Sequence, residues 1–131
     1  MSVFSVMAAG IAAWIFGAVW YSVFAKQWVV ASGVATDADG KPANQKNPVP
    51  YVLSVAAAIA VAGMMRHTFI LSDITTIGKA LVSGFGIGAF LASPWIVTCY
   101  AFAGRPAQLM LIDGGYTTFG CTVIGIVLVL I

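Results

Sequence analysis

Charge is what this sequence has least of. Lys and Arg together number 6 and Asp and Glu 4, so charged residues make up only 8% of the 131 positions. A water-soluble domain carries roughly a quarter charged residues on its surface. This chain cannot build such a shell, and 61% of it is hydrophobic. Lipid must then surround it, with the backbone polar groups satisfied inside helices. The net charge of +2 is small and its sources are scattered, which excludes a nucleic-acid-binding face. Cysteine is equally scarce. Cys99 and Cys121 each lie in an apolar run with no CxxC or Cys/His spacing, so they read as small packing residues rather than as a disulfide or a metal pair.

Further absences narrow the function. There is no G-x-S-x-G, no H-E-x-x-H, no P-loop and no intramembrane Ser/His pair, so enzyme chemistry is not expected. No metal site or cofactor is expected either. Asp37 and Asp39 lack the spaced ligand set of a calcium loop. The single histidine, His67, offers one axial ligand for a haem or a chlorophyll. Its place after Arg66 and near Asp73 reads instead as interfacial, and no second histidine completes a bis-His haem. Two inverted halves of the kind many transporters carry are not apparent. The N-terminus has no basic n-region, and its apolar run of about 22 residues exceeds that of a signal peptide, so it reads as a retained helix.

What the chain does have is long apolar runs. A membrane-crossing helix takes about 20 predominantly apolar residues. Four such runs cover residues 3–24, 50–71, 77–103 and 107–131, and a polar loop occupies 25–49. The fold class is therefore all-α: a single domain of four transmembrane helices with one longer loop between the first two. In that loop Asp-Ala-Asp-Gly followed by Lys-Pro is turn chemistry, with Gly40 free to take positive φ. Pro48 and Pro50 suit the first turn of the second span. "KQWVVASGV" has the makings of a short interfacial helix with Trp28 at headgroup depth. Lys26, Lys41, Lys46 and Arg105 lie in the first and third loops, against Arg66 and Lys79 at the other end, which places loops one and three in the cytoplasm and both termini outside.

Helices associate in lipid through close backbone approach and interhelical hydrogen bonds. Small residues recur at helical spacing: Gly10 and Gly17 with Ala13 on the first span, Ala58 and Ala62 on the second, and Gly84, Gly88 and Ala92 on the third. They serve either packing within one bundle or contact with a second subunit or a foreign helix. Pro94 lies well inside the third span, where it removes a backbone donor and crowds the carbonyl of Phe90, so a kink is expected with Ser93 beside it.

The stretch "LMLIDGGYTTFG" puts Asp113 inside the last span. Were the helix to begin after Gly115, the remaining residues would cover only about 24 Å, short of a hydrocarbon core near 30 Å. The helix therefore starts near Pro106 and Asp113 sits about two turns in, where a carboxylate needs a partner or a wet pocket. The ends of spans one and three and the starts of spans two and four share that half of the bilayer. Trp20, Tyr21 and Tyr116 supply donors there, and Lys26 and Arg105 supply charge; Ser54, Thr98 and Tyr100 lie at the same depth. One reading is a structural polar knot. Another is a cavity whose carboxylate takes a proton, a cation or a polar ligand, and a third is a contact with a partner protein.

"GAVWYSVFAKQWVVASG" early and "LIDGGYTTFGCTVIGIVL" late resemble the bacterial membrane-protein family catalogued as domain of unknown function seventeen-sixty-one. Gly17, Trp20, Tyr21, Phe24, Lys26, Trp28, Asn47 and Pro48 fall on one motif of that family, and Asp113, Gly114 and Tyr116 on another. The resemblance implies a four-span fold in a bacterial inner membrane and brings no known activity. Two functions stay open: a non-enzymatic accessory subunit that packs into a membrane assembly or a homo-oligomer, and a small channel or transporter with Asp113 in its path.

Overall fold

The computed structural model describes residues Met1–Ile131. Its regular elements are all helices, and four of its segments are long and apolar enough to cross a membrane. The first is α1 (Val3–Val23), opened by Ser2, whose hydroxyl accepts from the Ser5 amide in a reciprocal capping box. A short α2 (Ala25–Ser32) follows at once and closes on Gly33 at φ 67°. The polar loop then turns at Asp37, whose carboxylate accepts from the amides of Asp39 and Lys41 at 2.9 and 3.0 Å, with Gly40 at φ 75°. The second span, α3 (Val49–Leu71), starts with Pro50 in its first turn, where the missing N–H has no helical partner to lose.

The third span, Ile77–Phe102, is not one regular helix. It runs as α4 (Ile77–Ile87), a π-helical stretch over Gly88–Ala92, and α5 (Ser93–Phe102). The irregularity expected at Pro94 is therefore a widened turn just before the proline. Ser93 closes it twice over: its amide and its hydroxyl both donate to the Gly88 carbonyl, the hydroxyl at 2.7 Å. The last span is α6 (Ala107–Leu130).

Half of the most apolar stretch of α6 is buried, against 17% to 28% in the other spans, so α6 is the axis of the molecule. It packs on α1, on α3 and along the whole third span, and α1 also packs on α3. The third span and α3 scarcely touch. The glycines set these distances. A Cβ on Gly10 would stand 2.8 Å from Cα of Ile59 on α3, and one on Gly84 would stand 2.6 Å from the Cys121 carbonyl oxygen. A Cβ on Gly88 would run into the backbone of Thr117 and Thr118, and one on Gly125 would lie 2.8 Å from the carbonyl oxygen of Ala80. The Gly84/Gly88 ridge thus faces α6 of the same chain, and Ala92, one turn on, is half-buried. At the end carrying the α3–α4 turn, Ala62, Met65, Phe69, Ala80, Ile124 and Leu128 form a closed apolar core.

Candidate functional site

At the opposite end the packing changes character. The last two turns of α1 present Gly17, Trp20 and Tyr21 to α6. A glycine on each helix receives an aromatic ring from the other: the Tyr116 ring lies where a Cβ of Gly17 would be, and the Trp20 indole where a Cβ of Gly115 would be. Trp20 Nε1 donates to the Ile112 carbonyl at 3.0 Å. One residue on in both helices, the Tyr21 hydroxyl donates to Oδ1 of Asp113 at 2.5 Å. From α5 the Tyr100 hydroxyl donates to Oδ2, also at 2.5 Å.

Asp113 is therefore buried, at 8% exposure, with a phenol on each oxygen. It is the seventh residue of α6, about 9 Å along the axis from the helix start. Burying a carboxylate in hydrocarbon without partners is costly, and these two donors offset part of that cost. Each oxygen retains capacity for a further donor.

That capacity faces a cavity of ≈ 630 Å³, lined by Asp113 together with residues of α1, α2, α3, α5 and the polar loop. The cavity exists because α3 and the third span do not meet. Trp28 and Ser32 of α2 and Asn44 and Gln45 of the loop form part of its wall. The Tyr51 hydroxyl ties the loop to α3 by donating to the Gln45 carbonyl at 2.7 Å. Ser54, a turn deeper on α3, accepts from Trp14 Nε1 at 2.9 Å. No buried side-chain polar atom is left without a partner.

The protein-family model described as "Protein of unknown function (DUF1761)" matches residues 4–129. The chain belongs to this family. Both stretches that carried the resemblance, the Trp20–Tyr21 end of α1 and the Asp113–Tyr116 turn of α6, meet at this one site within the DUF1761 domain. No curated protein and no solved structure matches the chain.

Of the residues expected to gather on Asp113, Tyr21 bonds it directly and Trp20 bonds the carbonyl just before it. Tyr116 lies alongside without touching the carboxylate: its ring stacks near Phe16 at 6.4 Å and meets Tyr21 edge-on at 5.2 Å. Arg105 lines the same cavity from an exposed position, and its backbone amide donates to the Tyr100 carbonyl at 2.9 Å. The carboxylate oxygens accept from the two tyrosines and not from the guanidinium, which is a rim group. Lys26 is exposed on the first turn of α2 and does not line the cavity. His67 is also exposed, and no group of three metal-ligating side chains exists.

Two residues matter more than their sequence setting suggested. Tyr100 shares the depth of Asp113 across a short turn, which is the signal that would have paired them. Ser93 is a hub: besides Gly88 its hydroxyl reaches the Gly114 carbonyl at 3.0 Å and the Thr117 hydroxyl at 2.8 Å. It ties the π turn to the residue following Asp113.

Proposed function

We propose that this DUF1761 chain is a non-enzymatic membrane protein that binds a small solute from one aqueous side and holds it against Asp113. The observation that carries this reading is that the buried carboxylate lines a cavity. The cavity volume of ≈ 630 Å³ lies within the roughly 300–1,000 Å³ typical of small-molecule sites. An ionisable group at membrane depth facing such a space is a binding or pathway residue by default. The apolar core below it supports a blind site over an open pore, so transport by this chain requires rearrangement of α6 or the third span. The excess of Lys and Arg at the mouth of the cavity, in Arg105 and the loop bearing Lys41 and Lys46, supports a cytoplasmic opening in a bacterial inner membrane.

The reading as an accessory or homo-oligomeric subunit loses its main support, because the Gly10 and Gly84/Gly88 faces are already filled within the chain. What remains for it is the exposed apolar surface at residues such as Phe90, Phe102 and Leu111, which lipid covers equally well.

The test is thermal unfolding of the full chain in mild detergent against a panel of cationic, neutral and anionic small solutes. A ligand at 100 times its Kd stabilises by about 2.7 kcal/mol, enough to read as a shifted midpoint. At least one class should shift the wild type and leave Asp113→Asn unmoved. A panel without effect, or equal shifts in both proteins, contradicts the proposal.

A further inference from the structure

We infer that the solute is an organic ammonium ion with an apolar body, an alkyl or quaternary ammonium, held by Asp113 inside an aromatic cage. The inference rests on the binding reading above and names the substrate class of that same site.

Four aromatic side chains share the cavity with Asp113, each from a different helix: Tyr21 of α1, Trp28 of α2, Tyr51 of α3 and Tyr100 of α5. Tyr21 and Trp28 stand nearly perpendicular, at 77° with ring centres 6.1 Å apart, and form a corner of the cage. The exposed wall is mainly carbon. Each ligand class makes its own demand on such a wall. A small, strongly hydrated metal ion needs several oxygen ligands to replace its water. Here Asp113 is the only acidic side chain on the wall, and both its oxygens already accept from phenols. A sugar-like solute needs many hydrogen-bonding groups, and an anion meets the carboxylate. A weakly hydrated ammonium needs little more than a counter-charge and π faces, which aromatic cages supply. A phenol that donates its hydrogen to a carboxylate also gains electron density in its ring. Tyr21 and Tyr100 are therefore better cation-binding faces than free tyrosines.

Arg105 is the one cation on the wall, and its guanidinium makes no hydrogen bond to Asp113. It is exposed, and its guanidinium lies beside Gly33, where a Cβ would be 2.9 Å from a guanidinium nitrogen. Gly33 is the C-cap of α2, and the carbonyl end of a helix attracts positive charge. The carbonyl end of α2 thus draws the Arg105 guanidinium to the rim.

Calorimetric titration of the full chain in detergent tests this with a matched pair: (2-hydroxyethyl)trimethylammonium and its neutral isostere 3,3-dimethylbutan-1-ol. The cation should bind at least about tenfold more tightly, the range of a desolvated cation–π contact. Trp28→Leu, outside the membrane spans, should weaken it about five- to tenfold, Trp28→Phe less, and Asp113→Asn should abolish it. Arg105→Gln should leave the affinity unchanged or raise it. Equal binding of the isostere, or loss of binding in Arg105→Gln, overturns the inference. So does absence of cation binding: if the solute panel still reveals another ligand that depends on Asp113, the pocket reading survives, and if nothing binds in either assay both fall.

Discussion

Trp20 lies where Gly115 has no side chain: a Cβ built on that glycine would stand 2.6 Å from Cζ2 of the indole. The same indole donates to the Ile112 carbonyl at 3.0 Å, so the ring is fixed by shape on one side and by a hydrogen bond on the other. This contact sets the height of α1 on α6 and with it the meeting of Tyr21 and Asp113. Gly115→Ala should displace the indole and destabilise by about 1–3 kcal/mol, less the roughly 1 kcal/mol that alanine gains over glycine in a helix. Reversible denaturation in detergent measures this. A stability above wild type would mean the ring is not seated there.

The glycines of the third span make an internal control. Gly88 meets the α6 backbone, whereas a Cβ on Gly86 finds nothing within 4 Å. Gly88→Ala should separate the helices and cost about 1–3 kcal/mol, while Gly86→Ala should be neutral or stabilise by up to about 1 kcal/mol. If the ridge served a second subunit instead, Gly88→Ala would change the oligomeric mass and spare the stability of the fold.

Tyr21→Phe and Tyr100→Phe each keep the ring and remove one donor from Asp113. Each should cost about 1–3 kcal/mol, because a buried acceptor is left with a partner missing. A double-mutant cycle between either tyrosine and Asp113→Asn should give a coupling of at least about 0.5 kcal/mol. Strict additivity would remove the hydrogen bonds from the account.

Much of this was legible in the sequence, for physical reasons. Hydropathy alone located the four spans, since a crossing helix has a minimum length, and that minimum also forced Asp113 into α6 rather than into a loop. The side of the bilayer shared by Trp20, Tyr21, Tyr100 and Asp113 followed from connectivity. Which residues touch did not, because contact depends on helix rotation. Lys26 falls on the outer face of α2, and Tyr116 turns toward Gly17 instead of the carboxylate. Pro94 announced an irregular backbone. The π turn that resulted depends on where Ser93 meets Gly114 and Thr117 of α6, a tertiary match that no local pattern encodes. The cavity depends on the lack of packing between α3 and the third span, and spacing on either helix does not record it.

Ser93→Ala removes the hydroxyl that joins the Gly88 and Gly114 carbonyls. Hydrogen bonds between helices in a membrane average about 0.6 kcal/mol and reach about 1.7, and this hub should fall toward the upper value. Cysteine at this position, smaller in hydrogen-bonding strength but similar in size, should recover only part. An unchanged unfolding midpoint would show that the π turn holds without the serine.

Labelling of Asp113 with a water-soluble carbodiimide and an amine, applied to the protein in sealed vesicles and read residue by residue by mass spectrometry, asks whether the buried carboxylate is reached from water. Asp113 should be modified from the side bearing the Lys41 loop, more slowly than the exposed Asp37 and Asp39, and faster once Tyr100→Phe frees one oxygen. Modification of Asp113 only by a lipid-soluble carbodiimide, with no reaction from water on that side, would contradict this.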